Sequence, residues 1–481
     1  MAALRQATDG STATYRQASF WLDDLVVSGA DDLAPRAALT SDASFDVCIV
    51  GGGLTALWTA YALAKAEPHL RIAVLEREIA GFGASGRNGG WCSALFPRSA
   101  ASLEREHGFE AAVAMRRAMI DTVEEVGRVT RAEGIECDYV HGGTVVFARD
   151  EVQRSAAAAD VDEARRFSVD HPEYWEPVAV AARYGASGLD GTAPAAVFDA
   201  ACARLHPAKL VRGLARVVES LGVAIFERTE VVDWAAGAVR FRGVDSGAHG
   251  TVRARRVIVA LEGYASQLPR ARRRILPIYS LMIATEPLPE DVWNDIGIAH
   301  GETFSDYRHL LVYGQRTADN RFAFGGRGAR YHWGSAVDPA FERVDEVFAH
   351  LHRALRELFP AVGDARITHR WGGPLGIARD WHPTASYNPR TGVGFAGGYV
   401  GDGLSTTNLA GRTLADLVLE RSTTLTALPW ANHRSPLWEP EPLRFAGANL
   451  GMLGMQLADL EERVTGRPSL TARLLGPLTG H

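Results

Sequence analysis

An apolar run, FDVCIV, leads into Gly51-Gly52-Gly53-Leu54-Thr55-Ala56, and 20 residues past Ala56 a second apolar run, RIAVLERE, delivers Glu76 and then Arg77. Each residue type at this spacing has a chemical use. Gly51 permits a tight turn, Gly53 lets backbone approach a pyrophosphate, and Ala56 keeps the following helix close to its strand. Leu54 and Thr55 open that helix, whose free N–H groups and positive dipole end favour a bound anion. A carboxylate at Glu76 can accept hydrogen bonds from both hydroxyls of a ribose that carries no 2′-phosphate. A dinucleotide binds across such a unit.

The elements that must position these residues are strand, turn and helix. The stretch from Val47 to Ala64 holds 18 consecutive uncharged residues, close to bilayer-crossing length. Three adjacent glycines break it. Val47–Val50 suits a strand buried on both faces, while Leu54, Leu57, Tyr61 and Ala64 recur at helical spacing. The whole chain, at 481 residues, is long enough for two domains and a small appendage. A hydrophobic share of 47% and a net charge of −6 without blocks of like charge describe a globular protein and give nucleic acid or an acidic membrane no electrostatic support. Cys48, Cys92, Cys137 and Cys202 are scattered, so neither a zinc site nor a disulfide framework is expected, and a cytoplasmic setting fits. The N-terminus has no apolar segment of signal-peptide length. Lysine occurs only at 65 and 209, so arginine carries nearly all the basic charge.

Beyond Glu76, IAGFGASGRNGGW (Ile79–Trp91) carries five glycines in thirteen residues. Gly83, Ala84, Gly89 and Gly90 let a flat ring or a second phosphate contact lie against backbone, and Ser85, Arg87 and Asn88 supply polar groups. Here the chain resembles the FAD-dependent amine and amino acid oxidoreductases of the D-amino acid oxidase superfamily, which includes glycine oxidase, sarcosine oxidase and gamma-glutamylputrescine oxidoreductase. GASGRNGG is the most specific piece. The resemblance continues through HPAKLVRGLA and TEVVDW, which implies a backbone pair to adenine near Val231. In RARRVIVALEGYAS, the strand end Ala260, Leu261 and Gly263 is implied to close over the cofactor. In FAGGYVGDGLSTTNLAGRTLADLVL, the loop Gly398, Gly401, Asp402, Gly403 and Leu404 leads to a helix start at Ser405, Thr406 and Thr407. Those hydroxyls suit caps, and the N–H groups there stabilise negative charge on a reduced flavin's pyrimidine edge.

The resemblance implies an α/β fold (α+β overall): a Rossmann-like FAD-binding domain with an inserted antiparallel-sheet substrate domain and a helical C-terminal tail. The expected division is an N-terminal extension 1–44, FAD-binding segments 45–110, 200–265 and 370–425, substrate-domain segments 111–199 and 266–369, and the tail 426–481. YSLMIATEPL and the hairpin LLVYGQRTADNRFAFGG are the strand-like parts of the insert. The implied reaction is oxidation of a C–N bond in a small amine or amino acid, by hydride transfer to flavin N5, giving an imine that hydrolyses to an aldehyde or keto product plus amine or ammonia. Dioxygen or another acceptor then takes the electrons. Sarcosine oxidases place a lysine near the flavin for oxygen, and this chain has none after Lys209; they also link flavin through a C-terminal cysteine, and the last cysteine here is Cys202. Noncovalent FAD is therefore expected, and a dehydrogenase passing electrons to an acceptor other than dioxygen stands beside an oxidase. Asp402 stands where many relatives carry histidine.

On the substrate side, Tyr279 is the candidate aromatic facing the site, Arg327 and Arg379 are candidates to hold a carboxylate or phosphonate, and Trp91 and Trp371 are candidate flavin walls. His309 and His382 fit structural roles better than acid–base ones, and Cys92 fits packing. A flavin monooxygenase and a noncatalytic FAD-binding subunit are the rival readings.

Overall fold

The computed structural model describes residues 12–479. Its first sheet runs Thr384–Asn388, Val393–Gly397, His249–Val259, Ala43–Val50, Ile72–Leu75, Ala224–Phe226, and Ala238–Gly243 and Thr229–Ala235 branch from His249–Val259. From Val393–Gly397 to Ala224–Phe226 the pairing is parallel. The four residues Val47–Val50 are buried, as two covered faces require, and the helix Leu54–Ala66 follows the glycine turn. That helix packs with Pro207–Ser220 and Gly403–Val418 on one face of the sheet, around Leu57, Leu214 and Leu409.

The second sheet runs Ile367–Ile377, Leu276–Thr285, Phe322–Gly326, Val312–Arg316, Thr303–Asp306, Thr144–Ala148, Ala195–Asp199, Glu173–Trp175. It is antiparallel except where Thr303–Asp306 runs parallel to Thr144–Ala148. Side chains alternate across it with period two. Tyr279, Leu281 and Ile283 join Phe322 and Phe324 against the helix Asp345–Leu358, while Met282, Ala284, Ala323 and Trp371 pack on the other side with Ile79 and Ala208 of the first half.

Three boundaries differ from the expected division. The helix Phe109–Ala132, expected mostly in the insert, joins the first core: Ala112, Met115, Met119, Val123 and Val126 form a buried stripe at helical spacing against Leu57 and Leu214. The strand Ile367–Ile377, expected from residue 370 onward in the FAD-binding part, pairs with Leu276–Thr285 over its length. The N-terminal segment is no appendage, because Tyr15, Phe20, Trp21, Leu22 and Leu25 are buried between the two halves. The tail forms helices Leu443–Thr465 and Leu470–Thr479, although Leu428 and Trp430 belong to the first core. Among the described residues no helix is long and apolar enough to cross a membrane.

Candidate active site

The first glycine turn is shaped by a close approach. Gly51 has φ +102°, and a Cβ there would stand 2.7 Å from the Ala260 carbonyl oxygen, in the segment that joins the sheet by donating Ala260 N to Val50 O. The helix beginning at Leu54 has Gly53 as its cap residue, no side-chain cap and no acid in its first turn. Its leading N–H, on Leu54, donates to Ser85 Oγ at 2.8 Å, the hydroxyl that a Gly53 Cβ would meet at 2.9 Å. Thr55 and Ala56 are buried. Glu76 accepts from Gly52 N at 2.6 Å and from Glu78 N at 2.9 Å, and burial pushes its carboxyl up to about 7. These residues fit FAD: a helix start with a glycine cap residue and a hydroxyl at its first N–H suits a diphosphate, and a buried carboxyl at the second strand's end suits a ribose. Arg77 instead reaches outward, 3.5 Å from Glu78 and 3.8 Å from Glu230. Val231 packs with Val50 and Leu75.

The glycine-rich loop is stitched to both halves. Asn88 Nδ2 donates to Ala84 O and Ser85 O, and its Oδ1 accepts from Gly90 N at 2.8 Å. Trp21 Nε1 donates to Asn88 O, Trp371 Nε1 to Arg87 O, and Gln315 Nε2 to Gly89 O and Leu205 O. Gly83 and Gly89 admit aromatic rings, since their Cβ positions would meet Tyr264 at 3.2 Å and Tyr313 at 2.3 Å. Trp91 stacks on Tyr313 with centroids 5.9 Å apart. The buried Arg87 guanidinium pairs with Glu342 at 2.6 Å and donates to Gly372 O and Tyr264 Oη.

The third part of the cradle hangs from a residue absent from the expected set. Glu262, next to Leu261 and Gly263, accepts from the N–H groups of Gly398 and Tyr399, both at 3.1 Å. Gly263 approaches Pro374 O of the second sheet, where a Cβ would stand at 3.1 Å. Tyr399 Oη lies 3.0 Å from Thr55 Oγ1, joining the first helix to the loop that precedes the second. The second helix begins at Gly403, earlier than expected, so Ser405 and Thr406 lie inside its first turn, Thr407 just past it, and none of them caps it. Their hydroxyls donate to Ser93 O, Asp402 O and Leu404 O, and Leu404 is buried. Asp402 holds the cap position without a cap hydrogen bond, leaving the helix N–H groups open.

Arg327 reaches this loop, donating to Val400 O at 2.7 Å beside Gly401 and Asp402. Burial pushes the Asp402 carboxyl up to about 7, with Arg327 opposing. In FAD-free protein the folded state therefore holds this proton above the unfolded carboxyl's pKa of about 4. That contribution to stability is complete below about pH 4 and is lost as pH rises through about 7. Asp402→Asn is expected to flatten part of the fall in melting temperature across that window, to which Glu76 and other buried carboxyls with raised pKa, Glu262 and Glu342 among them, contribute with the same sign. Identical slopes in the two proteins would refute this.

The expected substrate residues separate. Tyr279 lies on the far face of its strand: its Oη accepts from Asp338 N and its ring meets His332 and Phe341 edge-on. Period-two alternation puts it with Leu281 and Ile283, and the aromatic facing the loop is Tyr313, whose Oη is 3.1 Å from Ser280 Oγ. Arg379 is drawn away by the tail, paired with Glu439 at 2.9 Å over the Trp438 ring. His309 lies 3.0 Å from Glu462 of the tail, and buried His382 stacks on His433, with burial pushing its pKa down to about 4. Trp371 and Arg327 do reach the site. Strand alternation puts Tyr313 and Gln315 on one face, and sheet register decides which face meets the loop; Glu262 and Trp21 act through distant backbone and left no local mark.

A family model described as FAD dependent oxidoreductase matches residues 46–417. The chain is 30% identical over 396 residues to gamma-glutamylputrescine oxidoreductase of Escherichia coli K12, covering 81% of this chain and 87% of that protein. It is 28% identical over 389 residues to a probable oxidoreductase, OrdL, of Haemophilus influenzae, covering 79% and 84% respectively. The crystal structure of glycine oxidase from Geobacillus kaustophilus matches with a TM-score of 0.67 at 20% identity, over 82% of this chain and 100% of that chain.

Proposed function

The chain belongs to the FAD dependent oxidoreductase family, and from that membership we propose that it oxidises the C–N bond of a small amine or amino acid bearing a carboxylate or phosphonate. The observation that carries this reading is the arrangement of two helix starts whose cap residues make no side-chain bond, at Leu54 and Gly403, with a glycine loop against Tyr313 and Trp371 and with Arg327 on the loop that precedes Gly403. Gly51, Gly53, Leu54 and Ser85 would hold the diphosphate of FAD, Glu76 its ribose, and Gly398–Leu404 the pyrimidine edge. When bound, FAD supplies the acceptor for the two electrons of the substrate's α C–H bond.

The remaining work is positioning. Tyr313 and Trp91 offer an apolar wall, and the Ser280 and Tyr313 hydroxyls offer polar contacts beside it. Arg327 carries five N–H donors, of which the Val400 carbonyl engages one, so others can meet an anionic group. Asp402 tunes that cation from the adjoining loop. Arg327 is a broad cation that keeps its proton, unlike an oxygen-activating lysine. Electrons are accordingly passed to an acceptor other than dioxygen.

The test is anaerobic exposure of the yellow holoenzyme to a panel of amines and amino acids, followed by air. At least one carboxylate-bearing amine is expected to bleach the flavin, with slow return of colour on aeration. Bleaching by NADPH and by no amine would overturn the reading, and rapid recolouring would overturn its acceptor. Acid precipitation is expected to release the flavin into the supernatant, because the cysteines nearest the loop, Cys92 and Cys202, are buried in packed strands. Flavin left in the pellet would contradict a noncovalent cofactor.

A further inference from the structure

A cavity of about 240 Å³ opens beside the glycine loop, between the N-terminal helix Phe20–Val27, the start of the helix Pro207–Ser220 and the turn of the hairpin that carries Gln315. Arg204 lines it. This residue is 4% exposed, and its guanidinium makes no hydrogen bond or ion pair to any described residue. Burial pulls its pKa down, with the nearby Asp138 carboxylate opposing and making no direct contact.

The carboxylates around the cavity are already committed. Asp24 lies 3.2 Å from His206, Asp138 is 2.8 Å from Lys209, and Asp319 is paired with Arg321 at 2.6 Å. Among the described residues lining the cavity, Arg204 is the cation that no carboxylate touches. A second group there is also unmatched: Gln315 Nε2 is occupied by Gly89 O and Leu205 O, which fixes the amide's orientation and leaves Oε1 buried without a donor. A buried guanidinium requires an anion, and a buried amide oxygen requires an N–H or O–H.

We propose that this cavity is a binding site for a small carboxylate that also carries an amine or hydroxyl, with the carboxylate on Arg204 and the donor on Gln315 Oε1. The volume limits the ligand to a compact one, since drug-sized sites begin near about 300 Å³. The site adjoins the reacting region: Trp91 is the strand partner of Arg204, and Gln315 follows Tyr313 by two residues on the same strand. Its occupant is either the far end of the oxidised amine or a separate effector whose binding is felt at Gly89 through Gln315.

The experiment is a tryptophan-fluorescence titration of the holoenzyme, reading Trp21 in the cavity wall, with β-alanine, propionate, propylamine and inorganic phosphate. Saturable binding is expected for β-alanine, weaker for propionate, and none for propylamine. Arg204→Gln is expected to weaken β-alanine by about tenfold or more, with Arg204→Lys in between, as for loss of a charge-assisted pair. Without ligand, Arg204→Met is expected to melt no lower than the unsubstituted protein, because it removes a buried unpaired charge. The proposal falls if neither acid binds, if phosphate binds as well as β-alanine, if Arg204→Gln binds normally, or if Arg204→Met is strongly destabilised. These readings stand even if no amine bleaches the flavin. Where one does, Arg204→Gln raising its KM with kcat unchanged assigns the cavity to the substrate's own carboxylate, and unchanged KM assigns it to an effector.

Discussion

Gly90→Ala is expected to emerge from purification largely without FAD and to be destabilised by about 3 kcal/mol or more, combining left-handed strain with a backbone clash. Gly90 has φ +68°, and a Cβ on it would stand 2.1 Å from Gln315 Nε2 and 2.2 Å from the Leu205 carbonyl oxygen. The amide could swing aside, but only by releasing Gly89 O. The carbonyl cannot move, because Leu205 N donates to Gly90 O and the helix Pro207–Ser220 starts two residues later. The glycine loop would therefore lift from the second sheet and take the flavin seat with it. Gly134→Ala is the control. Gly134 has φ +63° with nothing within 4 Å of a Cβ, so it bears the conformational strain alone, about 1–2 kcal/mol. Flavin absorbance per protein and melting temperature separate the two variants; equal values in both would rule out the clash as the cause.

Sequence reading succeeded where structure follows from neighbours along the chain. The glycine turn after Val50, the helix from Leu54 and the carboxylate at Glu76 are bound by spacing, and each lies where local chemistry puts it. It failed where long-range packing decides. Tyr279 and Tyr313 are both strand aromatics, and only the register of the sheet shows that one faces the helix Asp345–Leu358 and the other the glycine loop. Arg379 and Arg327 both follow glycine-rich strand ends, yet Glu439 in the tail claims the first. Ser405, Thr406 and Thr407 look like caps until the helix is seen to begin at Gly403. Trp21, in a segment of no evident pattern, holds the loop through one indole N–H to Asn88 O. The cradle's backbone was thus readable, and the side chains that brace it were not.

Arg87→Met is expected to destabilise the protein by about 3–5 kcal/mol, the range for removing one partner of a buried ion pair. The guanidinium is only 2% exposed and crosses between the halves, from the glycine loop to Glu342, Gly372 O and Tyr264 Oη. Methionine fills much of the volume, so the loss is chiefly electrostatic: Glu342 keeps a charge without a counterion, and Gly372 O and Tyr264 Oη lose their donor. Burial already raises the Glu342 pKa, with Arg87 opposing, so removing Arg87 raises it further. A carboxyl with a raised folded pKa favours folding below its unfolded pKa, and that contribution is lost as pH rises through the folded value. The deficit of Arg87→Met should therefore be smaller at about pH 5 than at about pH 8, well above ordinary carboxylate values. Glu342→Leu added to Arg87→Met should recover much of the stability, because an apolar pair of similar volume replaces a desolvated one. Denaturant melts of the two single variants and the double variant measure the coupling. Simple additivity of the two losses, or a deficit independent of pH, would show that Arg87 braces the loop by packing rather than by charge.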